Sequence, residues 1–283
     1  MTSHAFAKIN LSLRVLTIRP GGYHELRTIF QSIQLHDTLT IRRARGPFRL
    51  ACSEPACPTD RRNLVWRAAG AMWRASGHAG SPRDLAIHIT KRIPMAAGLG
   101  GGSSDAAAAL RALAKMWRVD ARRLPDIAAA LGADVPYFLE GGTVLGLGRG
   151  DVLYPLVDAP RSWVALVLPA FGISTKDAFA WFDRDGPVAR RPPDAFARDT
   201  GNDLQPPVAR RHPEIARIVS ALRRVGASQA SMTGSGSTVF GLFPSRAAAA
   251  RGVANLPDRI RQVSTVVITR TATRAECRRL AAK

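Results

Sequence analysis

The chain has 283 residues, 46% of them hydrophobic and 22% charged, which suits a globular protein with one large core or, more readily, two. Its formal charge of +20 is carried almost entirely by arginine, with only five lysines, but the basic residues are scattered in pairs such as Arg42-Arg43, Arg61-Arg62, Arg122-Arg123 and Arg190-Arg191. Without a basic tail, an aromatic platform or a base-reading motif, this charge argues against a specific nucleic-acid partner. No apolar run approaches the roughly 18 residues of a membrane span, and Lys8 and Arg14 interrupt the first apolar stretch, so no membrane partner and a cytoplasmic location are expected.

From the N-terminus, Ala7–Leu16 (AKINLSLRVL) alternates apolar and polar residues as a half-buried strand does, and Asp37–Ala44 repeats the pattern. Between them Pro20, Gly21 and Gly22 predict a turn that holds Tyr23 and His24 at a strand mouth. Cys52 and Cys57 follow, and with Cys277 they make an odd set without metal-ligand spacing, read as reduced thiols. Asn63–Ser76 has helical spacing, with Leu64, Ala68, Ala71 and Met72 as its apolar face. Leu85–Ile93 returns to strand alternation.

The glycine-rich stretch PMAAGLGGGSSD, Pro94–Asp105, then leads into an alanine-rich helix with Ala106, Leu110, Leu113 and Trp117 on one face. A second helix is predicted over 121–132, and GADVPYFLEGG after it reads as a loop and strand. Further on, WVALVLPA (Trp163–Ala170) is a buried strand, with a domain boundary placed just before it, near Pro155. Residues 183–200 are rich in proline, arginine and aspartate and predict a surface loop. The remainder predicts a helix over 212–226, a strand–loop–strand at ASMTGSGSTVFGLF, a helix over 246–254 and a strand over 263–271. No internal repeat is present.

A glycine run ahead of a helix lets backbone N–H groups converge on an anion, helped by the helix dipole. Gly98, Gly100, Gly101 and Gly102 allow that approach, and Ser103 and Ser104 add hydroxyl donors. The bland alternative is a turn with a serine cap. There is no Gly-Lys-Ser/Thr, and the spacing is not that of a dinucleotide fingerprint. A nucleotide site here must have another design.

The loop PMAAGLGGGSSDAA resembles the phosphate loop of the GHMP kinase superfamily, and AFAKINLSLRV near the start and ASMTGSGSTVFGLF near the end resemble its other two blocks in the same order. GGYHEL, LGADVPYFLEGG and GNDLQPPV are similar to the branch that phosphorylates a hydroxyl of a small cytidyl diphosphate substrate in isoprenoid precursor synthesis. The resemblance implies an α+β, two-domain GHMP kinase fold, 1–154 holding ATP and 155–283 on the substrate side, with the active site in the cleft between them. It also implies ATP as cosubstrate, accompanied by Mg²⁺ without an assigned protein ligand, and a monomer or weak homodimer.

Residue by residue, Asp134 in LGADVPYF is expected as the base that receives the substrate's hydroxyl proton. By itself it reads equally as a cap. Lys8 is expected as its partner, because an ammonium on an otherwise apolar strand is costly unless paired; the alternative is a strand-edge charge. For ATP the resemblance implicates Asn63, Lys91, Pro94 and the loop Gly98, Leu99, Gly100, Gly101, Gly102, Ser103 and Ser104. Tyr23 and His24 are implied to face the cytosine, with Phe179 completing an aromatic sandwich. Thr175 and Asn10 are implied substrate contacts. Asp105 is ambiguous, since its charge would repel phosphate unless turned away or paired. Asn202 and Asp203 match the family's pattern without an assigned role.

Overall fold

A computed structural model describes residues 1–18, 22–186 and 201–280. Two long antiparallel strands, β1 (Thr2–Ile18) and β2 (His24–Pro47), form the spine of the first sheet, running well past the predicted 7–16 and 37–44. The length of β2 has a purpose: its N-terminal half pairs with β5 (Thr143–Gly148), and its C-terminal half with β4 (Arg83–Thr90). Beyond these lie β3 (Arg49–Cys52) on β4 and β6 (Val152–Pro155) on β5.

Helices α1 (Leu64–Ala75), α2 (Gly101–Trp117), α3 (Leu124–Leu131) and α4 (Val135–Glu140) cover this sheet, sharing a core that includes Leu39, Ile87, Met72, Leu110 and Tyr137. The buried face of α1 is Val65, Ala68, Ala69 and Met72, one position round from the predicted stripe at Leu64 and Ala71. In α2, burial extends past the predicted Ala106, Leu110 and Leu113 to every residue from Ser104 to Leu110, while Trp117 stays half-buried. The run of alanines explains this, because side chains that small let the helix be enclosed on several sides at once. Helix α4 corrects the sequence reading of GADVPYFLEGG, which had no helix. Pro136 in its first turn and the Gly141-Gly142 break after it bound a single short turn of helix, and the strand resumes only at Thr143.

The second sheet, in the order β11-β7-β10-β9, is antiparallel: β7 (Trp163–Pro169), β9 (Gln229–Met232), β10 (Val239–Phe243) and β11 (Ser264–Arg270). Around it lie α5 (Thr175–Asp185), α6 (Gln205–Arg211), α7 (Pro213–Arg224), α8 (Arg246–Ala254) and α9 (Asp258–Val263), while α10 (Arg274–Leu280) packs on β1 of the first sheet through Cys277, which clusters with Phe6. The i, i+3, i+4, i+7 stripe of Ile215, Ile218, Val219 and Leu222 buries α7 in this core. Of the predicted 183–200 loop, the start belongs to α5, which runs to Asp185, and 187–200 lies outside the described residues, as do 19–21 of the predicted glycine turn.

Two features join the halves. The short β8 (Gly201–Asn202), though later in the chain than β7, pairs in parallel with β1. A shared apolar cluster takes Ala7, Ile9 and Ile33 from the first sheet, Val164, Leu166, Leu168 and Phe240 from the second, and Ala97 and Leu99 from the glycine loop. The loop is therefore anchored where the two sheets meet. No helix of the described residues is long and apolar enough to cross a membrane.

Candidate active site

A cleft of about 720 Å³ opens at this junction, lined by β1, the glycine loop, the start of α5 and the Thr233–Ser237 turn. Its floor follows from the two-residue period of β1, which puts Lys8 and Asn10 on the same side. Lys8 Nζ donates to Asn10 Oδ1 at 2.7 Å, lies 3.9 Å from Asp134 Oδ2 and sits 5.5 Å over the ring of Phe30. Burial lowers the Lys8 pKa from its ordinary value, and the Asp134 carboxylate draws it partly back up. Asp134 precedes the first turn of α4 but makes no side-chain capping bond, and its side chain is 35% exposed on the cleft wall. The capping alternative does not describe it.

The Asn10 amide bonds within the protein through both its oxygen and its nitrogen. Its oxygen also accepts from Gly234 N at 2.9 Å and Thr233 Oγ1 at 3.2 Å, and its nitrogen donates to Thr28 Oγ1 at 2.7 Å. Asn10 thus ties the first strand to the late glycine turn. From the other side Asn202 Nδ2 donates to the carbonyls of Met232 and Gly234, and Asp203 accepts from Arg14 and from Val15 N. These bonds give the Asn-Asp pair the role that its sequence left open: it braces the turn and holds β8 on β1.

The loop's glycines divide by what surrounds them. Gly98 and Gly100 take φ of +73° and +72°, and an added Cβ would stand 2.3 Å from Thr233 O at the first and 2.6 Å from the Phe138 ring at the second. At Gly101 it would meet Ile93 at 3.0 Å and Lys91 Nζ at 3.1 Å. Only above Gly102 is there open space. Among the described residues the N–H groups of Gly101, Gly102 and Ser103 have no protein acceptor, the first helical bond being Ser104 N to Gly100 O at 2.9 Å. Those free donors at the start of a 17-residue helix are suited to seat an anion. Ser104 does not contribute its hydroxyl to it, for that group is buried and donates to Phe6 O at 2.6 Å. Ser103, Pro94 and Leu99 line the cleft.

Lys91 is bound on both sides, by Asp37 at 2.5 Å and Asp105 at 3.0 Å, beneath the first turn of α2. Asp37 also accepts from the N–H groups of Arg92 and Ile93. Burial pushes the Asp105 carboxyl up to about 8 despite Lys91, and leaves its Oδ1 without a partner. Burial alone would lower the Lys91 pKa, but the two carboxylates outweigh it and raise it. Asp105 is therefore turned into the protein against Lys91, not toward the seat. Asp37 was missed by sequence reasoning; an acid on the buried side of an alternating strand was its one signal. Asn63 caps α1 through Val65 N at 2.9 Å, donates to Pro58 O and borders the cleft beside Cys57 and Arg62.

At the opposite end Thr175 Oγ1 lies 3.1 Å from Ser235 Oγ, and Phe179 forms part of the wall. His24 stacks on Phe179 with centroids 4.9 Å apart, and its Nε2 is 2.6 Å from Asp183 Oδ1. Tyr23 stands apart, 62% exposed, under the Arg149 guanidinium at 5.8 Å. Of the aromatic side chains expected around the cytosine, His24 and Phe179 are thus brought together. Arg149 and Arg62, both on the cleft and neither singled out in the sequence, bring further positive charge.

A two-sheet α+β scaffold with an anion seat facing a Lys–Asp pair across one cleft is that of a small-molecule kinase. The family models "GHMP kinases N terminal domain" and "GHMP kinases C terminal" match residues 63–142 and 188–262. The 4-diphosphocytidyl-2-C-methyl-D-erythritol kinase of Pelotomaculum thermopropionicum is 44% identical, over 86% of this chain and 88% of its own length. That of Moorella thermoacetica is 38% identical over 96% and 99%. A crystal structure of 4-(cytidine 5'-diphospho)-2C-methyl-D-erythritol kinase is 33% identical and superposes with a TM-score of 0.80, covering 96% of this chain and 99% of that one. The chain belongs to the 4-diphosphocytidyl-2-C-methyl-D-erythritol kinase family of GHMP kinases.

Proposed function

We infer that this protein transfers the terminal phosphoryl group of ATP to the 2-hydroxyl of 4-diphosphocytidyl-2-C-methyl-D-erythritol, giving the 2-phosphate and ADP. The observation that carries the reading is the Lys8–Asp134 pair, 3.9 Å apart and facing the same cleft as the unpaired N–H groups that open α2. In the mechanism, Asp134 accepts the hydroxyl proton. Lys8 Nζ, held by Asn10, stabilises the negative charge that develops on the attacking oxygen. The amides of Gly101, Gly102 and Ser103 take the ATP phosphates. Asn63 borders the nucleoside end, and Lys91 sets the first turn of α2 through its two carboxylates. Phe179 and His24 offer a stacked aromatic surface for the cytosine, Tyr23 an exposed ring beside it, and Thr175 a hydroxyl near the diphosphate.

Mg²⁺ is expected with ATP, supplying charge neutralisation of the phosphates. Among the described residues no group of three or more His, Cys, Asp or Glu is arranged to hold a metal. The residues present fit an ion that would arrive with the nucleotide; of the oxygen donors lining the cleft, the Ser103 hydroxyl and the Asp134 carboxylate would be the ones to hold it. A division at 154/155, a cytoplasmic location, a monomer or weak homodimer and the lack of a specific nucleic-acid partner complete the proposal. Asp134→Asn tests it. The variant should bind ATP normally and lose at least about 100-fold in turnover, the scale of a general base, in an assay coupled to ADP release. Near-normal turnover would remove Asp134 as the base; no phosphorylation by the wild type would refute the whole reading.

A further inference from the structure

A second cavity, about 770 Å³ in volume, lies on the outer side of α1 and shares no lining residue with the active cleft. Four guanidinium groups surround it, those of Arg61, Arg67, Arg74 and Arg123, and no acidic side chain lines it. Among the described residues none of the four is in an ion pair, in contrast to Arg62, Arg122, Arg149 and Arg211, each of which is paired with an aspartate. Arg67 and Arg74 are seven residues apart on one helical face, about 10 Å along the axis. Arg74 folds back along α1, its Nη1 only 3.7 Å from where Gly70 would carry a Cβ. Arg123 reaches the end of the same helix and donates to Ala75 O at 2.8 Å, which fixes its guanidinium at the rim. Between the cations the floor is apolar: Trp66, Ala71, Ile127 and Leu131.

Unpaired like charges around one hollow repel one another, and an anion relieves that repulsion; guanidinium forks suit phosphate oxygens in particular. The apolar floor asks for more than a bare phosphate. We propose that this groove is a second ligand site, separate from catalysis, that takes a small soluble organic phosphate, its phosphate on Arg67, Arg74 and Arg123 and its apolar body on the Trp66–Leu131 floor.

The probes are 1-naphthyl phosphate and inorganic phosphate, titrated calorimetrically at physiological salt into protein whose cleft is saturated with a nonhydrolysable ATP analogue. Naphthyl phosphate should bind at least fivefold more tightly than inorganic phosphate. R67Q/R74Q, which alters only exposed side chains, should weaken it at least tenfold with kinase activity unchanged. R259Q, an exposed arginine on α9, should leave it within twofold. Absence of binding, equal affinity for the two probes, or equal losses in R67Q/R74Q and R259Q would overturn the proposal. So would cosedimentation with phosphatidylglycerol vesicles, lost in R67Q/R74Q, without naphthyl phosphate binding, since the occupant would then be a membrane lipid.

Discussion

Replacing Gly102 by alanine separates stability from function at the position where the glycine loop has open space. Gly102 lies in the first turn of α2, its φ is not left-handed, and nothing stands within 4 Å of the added methyl group. Alanine in a helix is favoured over glycine by roughly 0.5–1 kcal/mol, so the melting temperature should rise by about 1–2 °C. A phosphate held by the free N–H groups of Gly101, Gly102 and Ser103 would have to share that open space with the methyl group. Holding a phosphate oxygen off one charge-assisted hydrogen bond costs about 1.5–3 kcal/mol, or roughly 10- to 150-fold in kcat/KM for ATP. Scanning calorimetry and an ADP-coupled assay on the same preparation read both quantities. A variant that melts higher but keeps its ATP kinetics within twofold would show that phosphate does not sit over Gly102.

Gly98→Ala should behave in the opposite way, because its Cβ meets Thr233 O at 2.3 Å at a φ of +73°; a loss of about 2–4 kcal/mol in urea unfolding is expected from strain and overpacking. Ser104→Ala removes a buried hydroxyl bonded to Phe6 O, so it should cost about 1 kcal/mol of stability while leaving KM for ATP unchanged; a tenfold rise in KM would place the hydroxyl on the nucleotide. Burial raises the Asp105 pKa in the folded state to about 8, from an ordinary 3.8. Between those two values the folded state holds a proton that the unfolded state releases, so this group's contribution falls as pH rises across that window, by up to about 1.4 kcal/mol per pH unit, and levels off above it. Asp105→Asn removes that slope: its melting temperature should gain on the wild type between pH 5 and 8, and parallel curves would refute the assignment.

What could be read from the sequence was local in origin. Strand alternation around Lys8, the helices after Asn63 and Ser104, and the glycines of the phosphate loop follow from periodicity and backbone freedom within a few residues of one another. So does the recognition of the family, whose blocks are contiguous. The inward turn of Asp105 against Lys91, the burial of Ser104 and the helix at Val135–Glu140 were not legible, since each depends on what packs from elsewhere in the chain. Asn10 meets Thr233 and Gly234 across more than 220 residues, and Asp37 meets Lys91 across 54. The sequence by itself determined the family and the residue types expected to serve phosphoryl transfer. Only the tertiary structure decided which face the cleft and which brace it, because desolvation and hydrogen-bond partners, not residue type, fix where a buried charge or hydroxyl points.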